Sequence, residues 1–248
     1  MPSVALLVAL GAVAFLYASV GHAGASGYIA VLALAGSAPE QIKPLALIMN
    51  CAVASVGCWN FVRAGHLPWR RLWPVYVLAV PSAFLGGWLN LPGPWFQRLV
   101  AVVLLVSAWR LGSQSHDASE LRQPSSALLV AVGGGLGLLA GLTGTGGGVF
   151  LTPLLLLCRW CNTRQAAAVS VVFILLNSLA GLGGLLLARP AIVVAQLRPE
   201  LLGLLMVVLL AGAVGSHLGS RQWPVSWIRR VLAAVLVLAS AKLLRLGF

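Results

Sequence analysis

Gly141-Leu142-Thr143-Gly144-Thr145-Gly146-Gly147-Gly148 breaks an uncharged block that runs over 123–158, and Gly21-His22-Ala23-Gly24-Ala25-Ser26-Gly27 breaks another over 1–39. The two stretches read as one unit met twice. Gly21, Gly24 and Gly27 recur as Gly141, Gly144 and Gly147, 120 residues on (141 − 21). Asn50, behind Ala46-Leu47-Ile48-Met49, recurs as Asn177 behind Phe173-Ile174-Leu175-Leu176, 127 residues on (177 − 50). Trp95-Phe96-Gln97-Arg98 recurs as Trp227-Ile228-Arg229-Arg230, 132 residues on (227 − 95). The order is kept and the separation drifts slowly, as short insertions in a duplicated unit would cause. Internal repeats with polar breaks in apolar segments mark secondary transporters.

Composition agrees with a membrane setting. The chain of 248 residues is 60% hydrophobic and 8% charged, with a mean hydropathy of +0.99, whereas soluble domains carry about 25% charged residues. Uncharged runs over 44–62, 72–97, 165–188 and 201–220 come near the roughly 20 residues that cross a bilayer. The fold class is therefore an all-α polytopic membrane protein of two pseudo-symmetric halves, with about five helical segments in each. In the first half they fall near 3–20, 27–37, 42–63, 72–91 and 95–112; in the second near 125–141, 147–161, 163–188, 201–220 and 225–247. Residues 1–112 form the first membrane repeat, 113–124 a polar linker, and 125–248 the second repeat. The second segment of each half is short or re-entrant, so eight to ten helices enter the membrane. The first apolar stretch has no Lys or Arg before it and outruns a signal core, so it reads as the first membrane helix.

The net charge of +12 does not point to nucleic acid. The basic residues stand singly or in pairs in the connections, as topology signals and headgroup anchors do. The partners expected are membrane lipid and a small anionic solute, with no nucleic acid; a homodimer is left open. If all ten segments cross, the repeats are inverted. Lys and Arg then number ten on the side of the 64–71 loop and six on the other. The positive-inside rule places that loop and the linker in the cytoplasm. If the short segments are re-entrant, the repeats run parallel and the bias nearly vanishes.

Enzyme chemistry finds little to work with. The acids are Glu40, Asp117, Glu120 and Glu200, too few and too near the connections for general acid–base pairs. No His-Glu-x-x-His motif or paired haem ligands occur, so no metal or cofactor is expected. Cys158-Arg159-Trp160-Cys161 is formally a CxxC, but no βαβ pattern surrounds it.

The glycine breaks are the first candidates for a solute site. A Gly-rich break that opens a helix aims uncovered N–H groups and the helix dipole at one point, which suits an anion. Two such breaks at mid-membrane would clasp one oxyanion between them, with hydroxyls from Ser26, Thr143 and Thr145. The other reading is close helix packing, and Gly133, Gly137 and Gly141 at four-residue spacing look like a packing stripe. No Gly-Lys-Ser/Thr follows the glycines, so this is no nucleotide loop. Asn50 and Asn177 either brace the breaks or face the solute. Asn60 shares a helix face with Arg63, and Arg63 either snorkels to headgroups or reaches inward. His22 sits where an imidazole could exchange a proton with a coupled solute. The candidate solute-binding residues are thus Gly21, His22, Gly24, Ser26, Gly27, Asn50, Asn60, Arg63, Thr143, Gly144, Thr145, Gly146, Gly147 and Asn177.

At these residues the chain resembles the sulfite exporter TauE/SafE family of membrane permeases. The likeness rests on Gly144-Thr145-Gly146-Gly147-Gly148-Val149-Phe150-Leu151-Thr152-Pro153-Leu154 and on Gly21-His22-Ala23-Gly24-Ala25-Ser26-Gly27-Tyr28. Lys43-Pro44-Leu45-Ala46-Leu47 through Asn50, Phe61 to Leu67, and Pro81 with Gly86-Gly87 resemble one subgroup. The resemblance implies a multi-pass protein of the bacterial inner membrane that moves sulfite, sulfonates or other organic anions. The function expected is a permease working by alternating access, with proton coupling left open and Arg63→Gln expected to abolish transport. The rival readings are an anion channel and an accessory subunit of a membrane complex.

Overall fold

The computed structural model describes residues 3–89, 105, 109 and 120–245. Apart from Leu105 and Trp109, the segment expected over 95–112 lies outside the described residues, as do most of the linker and the Trp95–Arg98 anchor. Helices α1 (Val4–Ser19), α2 (Ala25–Leu34) and α3 (Pro39–Arg63) come first. Three short pieces follow, α4 (Trp69–Leu72), α5 (Pro74–Val77) and α6 (Ala79–Trp88). The later helices are α7 (Ser126–Thr143), α8 (Gly148–Leu157), α9 (Thr163–Ala188), α10 (Pro190–Val194), α11 (Pro199–Arg221) and α12 (Val225–Arg245). Among the described residues there is no strand, and four helices are long and apolar enough to cross a membrane: α7, α9, α11 and, from Glu40, α3.

The helix starts follow from the local sequence. Ser3 and Ser125 cap α1 and α7, accepting from the N–H of Leu6 at 3.2 Å and of Leu128 at 3.3 Å. Asn162 and Gln165 form a reciprocal capping box at the start of α9, which satisfies two donors that the first turn leaves open. Pro39 and Pro199 sit in the first turn of α3 and α11, where a missing N–H costs nothing.

Small residues set the directions of the helices. Gly11 of α1 faces Val207 and Ala211 of α11, Gly215 faces Phe15, and Gly219 faces Ser19. The numbering rises together, so α1 and α11 are parallel. Val53 against Gly212 and Asn60 against Ser216 make α3 parallel to α11 as well. Gly133, Gly137 and Gly141 of α7 press on Val75, Ala79 and Ala83, where an added Cβ would lie 1.9, 2.2 and 2.1 Å from a carbonyl oxygen. This is the packing stripe that their spacing suggested, and it seats α7 on α5 and α6. At the centre α3 and α9 cross antiparallel: Leu47 lies by Gly181, Asn50 by Ser178 and Gly57 by Val171.

The two short helices double back. With α1 and α3 parallel, α2 must return the chain to the face where α1 began. For α8 the return is direct: the N–H of Arg122, just before α7, donates 2.8 Å to the carbonyl of Arg159, just after α8. Each short helix therefore runs back against the helix before it.

Candidate solute site at the helix breaks

The short helices open on left-handed glycines, two before α2 and three before α8, where Gly146 (φ 73°) is the extra one. Gly21 and Gly24 have φ of 77° and 105°, and Gly144 and Gly147 have φ of 71° and 80°. Only glycine takes this backbone without strain. The separation is 123 residues at both (144 − 21, 147 − 24). It is kept at the far end, where Gly36 (φ 77°) and Arg159 (φ 58°) close α2 and α8. Gly141, set beside Gly21 in the sequence, lies inside α7, and the left-handed glycine of this break is Gly144. Gly27 is likewise outside the break. It lets α2 approach α1, and a Cβ there would meet Val13 at 2.5 Å and Tyr17 at 3.3 Å.

The first break is sealed. His22 is 2% exposed, and its Nε2 lies 2.8 Å from Thr152 Oγ1, which donates 2.6 Å to Ser170 Oγ. His22 Nδ1 makes no hydrogen bond, with the Gly148 main chain as its electrostatic neighbour. Tyr28 folds back over Gly24, and its hydroxyl donates 2.5 Å to the Ala23 carbonyl. Ser26 donates 3.0 Å to the Tyr17 hydroxyl. These partners leave Ser26 turned away from the second break.

Asn50 ties the two breaks together. Fully buried, it accepts from the first N–H of α2, at Ala25, at 3.1 Å. Its amide donates 2.9 Å to Ser178 Oγ and 3.5 Å to the Thr145 carbonyl. A Cβ on Gly146 would stand 2.5 Å from that amide nitrogen, so the glycine is what lets the carboxamide in. His22 reaches the same place, 3.3 Å from where a Cβ on Gly148 would be. The N-termini of α2 and α8 therefore meet at mid-helix level on α3 and α9. The glycines that begin the two breaks do not meet: Gly21 lies on Ala167, near the start of α9, and Gly144 on Lys43, near the start of α3.

Asn177 does not mirror Asn50. Ile174 holds that place, packed on Gly146 and Gly148, and Asn177 sits one turn further along α9. It is 1% exposed and neither atom of its carboxamide has a hydrogen-bond partner. At the second break the glycines are buried, but Thr143 and Thr145 are only half-buried, with their hydroxyls 2.8 Å apart. Thr143 also donates 2.7 Å to the Leu139 carbonyl.

Asn60 and Arg63 stand apart from the breaks. Asn60 donates 2.7 Å to Ser216 Oγ, bracing α3 on α11. The Arg63 guanidinium stacks 4.4 Å from the centroid of the Trp59 ring, and both side chains are exposed. That is the outward, headgroup-facing placement of an anchor. Unsignalled in the sequence were Thr152, Ser170 and Ser178, polar residues at helical spacing inside apolar helices, and Lys43, which looked like a topology charge. The CxxC has split surroundings: Cys158 is exposed, while burial pushes the Cys161 thiol up to about 12 against the pull of Arg71. Among the described residues no group of His, Cys, Asp or Glu gathers as a metal site.

Membrane-length helices around a buried polar centre, where two broken segments meet, define an all-α polytopic membrane protein. The family model described as sulfite exporter TauE/SafE matches residues 5–243, and the chain belongs to that family. It is 35% identical over 248 residues, 98% of each chain, to a curated protein of Sinorhizobium fredii (strain NBRC 101917 / NGR234), "Probable membrane transporter protein y4hK". No solved structure matches the chain. The protein is a multi-pass membrane transporter and not an enzyme.

Proposed function

We propose that this transporter is a secondary carrier of a small organic or sulfur-containing anion, such as sulfite or a sulfonate. It works by alternating access between two inverted repeats, within residues 1–112 and 125–248. The observation that carries the reading is the meeting of the α2 and α8 N-termini at Asn50. Helix starts pointed at one place in a low-dielectric interior favour negative charge there. The antiparallel α3–α9 crossing and the 123-residue separation of three pairs of left-handed positions support inverted repeats. A fully buried break beside one whose threonines are only partly buried is what a carrier shows when it faces one side. Lys and Arg are fewer on the open side, which makes that side the exterior of a bacterial inner membrane.

Counterflow in proteoliposomes tests the reading. Vesicles are loaded with unlabelled sulfite or a short sulfonate, and uptake of labelled anion is followed. Saturable, transient accumulation is the expected outcome. Flux without counterflow indicates a channel. No flux of sulfite, sulfonates or carboxylates through folded protein rejects an anion carrier.

A further inference from the structure

Lys43 has the surroundings of a ligand rather than of an anchor. It lies one turn into α3, half-buried, with its stem across the second break; a Cβ on Gly144 would come 2.9 Å from its Cγ. Among the described residues its ammonium has no hydrogen-bond acceptor and no carboxylate partner. Glu40, one turn earlier on the same helix, is exposed and does not pair with it. Arg189, just past the end of α9, is a neighbouring charge of the same sign and offers no counter-charge. An ammonium carries three donors and no acceptor, and a partly dehydrated cation without a counter-charge is costly. A second cation nearby raises that cost and makes an anion the natural remedy.

The groups around it ask for the same thing. The carboxamide of Asn177, buried and wholly unpartnered, stands one turn beyond Phe173 and Ile174, which lie against Gly147 and Gly146. Residues three and four apart share a helix face, so this orphan lines the same break. A buried amide with four unmet bonds needs an occupant. Thr145 can turn its half-exposed hydroxyl from Thr143 to a ligand at the cost of one neutral hydrogen bond.

We propose that Lys43 is the cationic ligand of the transported anion, which it holds at the second break with Thr145 and Asn177. The proposal rests on the anion-carrier reading. It adds that the charge-bearing site is single: the place matching Lys43 over the first break is Ala167, which lies on Gly21 as Lys43 lies on Gly144.

Wild type, Lys43→Gln and Lys43→Arg are reconstituted as folded protein and assayed for counterflow of labelled sulfite, a short sulfonate and a carboxylate. The expected result is a rise of about tenfold or more in half-saturation for Lys43→Gln, with Lys43→Arg within a few-fold of wild type. Active wild type with unchanged half-saturation in Lys43→Gln overturns the proposal and leaves the carrier reading standing. Wild type inactive toward all three anions removes the reading and the proposal together. Should Lys43→Gln fail to fold, Lys43→Cys in a Cys158→Ser background is treated with a cationic or an anionic methanethiosulfonate. Recovery by the cationic reagent alone is expected, and equal effects of the two overturn the assignment.

Discussion

The two helix breaks share a backbone and differ in chemistry. Both place left-handed glycines three residues apart before a ten-residue helix. At the first, Tyr28, Tyr17, Thr152 and Asn50 answer or cover the polar groups, save His22 Nδ1. At the second, Lys43 and Asn177 go unanswered and the threonines are only partly buried. On the proposed carrier reading, matching backbones would let two halves exchange packing, while the solute would need its charged ligand only once. A shared backbone does not require shared side-chain chemistry.

The glycines should separate the breaks most strongly. Gly21→Ala puts a Cβ 2.5 Å from the Ala167 main chain at a left-handed φ, and backbone cannot yield. Folded protein should be lost, read as the disappearance of the monodisperse peak in detergent. Gly144→Ala meets only the flexible Lys43 stem at 2.9 Å. It should fold, with a stability loss of about 1–2 kcal/mol and weakened anion uptake. Equal damage at the two positions would dissolve the contrast.

The asparagines come next and should move in opposite directions. Asn50→Leu strands the Ala25 N–H and the Ser178 hydroxyl, each at about 1–3 kcal/mol, so the thermal midpoint should fall clearly. Asn177→Leu removes a carboxamide that has no partner. Its midpoint should hold or rise while the half-saturation for sulfite climbs. A fall in stability for both would mean that Asn177 is bonded after all.

Arg63→Gln should have the smallest effect. It loses a stacking interaction on Trp59 worth about 0.5–1 kcal/mol at an exposed site. Half-saturation should stay at the wild-type value, against the abolished transport that its sequence position suggested. Loss of uptake by folded Arg63→Gln protein would bring Arg63 back to the site.

Much of this protein is legible in the chain itself. Excluded charge dictates membrane helices, glycine clusters dictate where they break, and a four-residue glycine spacing dictates the α7 seam. These are local properties, fixed by hydration cost and by the missing Cβ. Only the tertiary structure decided which glycines turn left-handed and which merely pack, because one residue type serves both uses. It also placed Asn177 one turn off the Asn50 position, a shift that counting residues cannot see across short insertions. Arg63 turned outward and Lys43 inward for the same reason. A charge in a sequence carries its sign but not its partner, and the partner is set by helices that meet only in the fold.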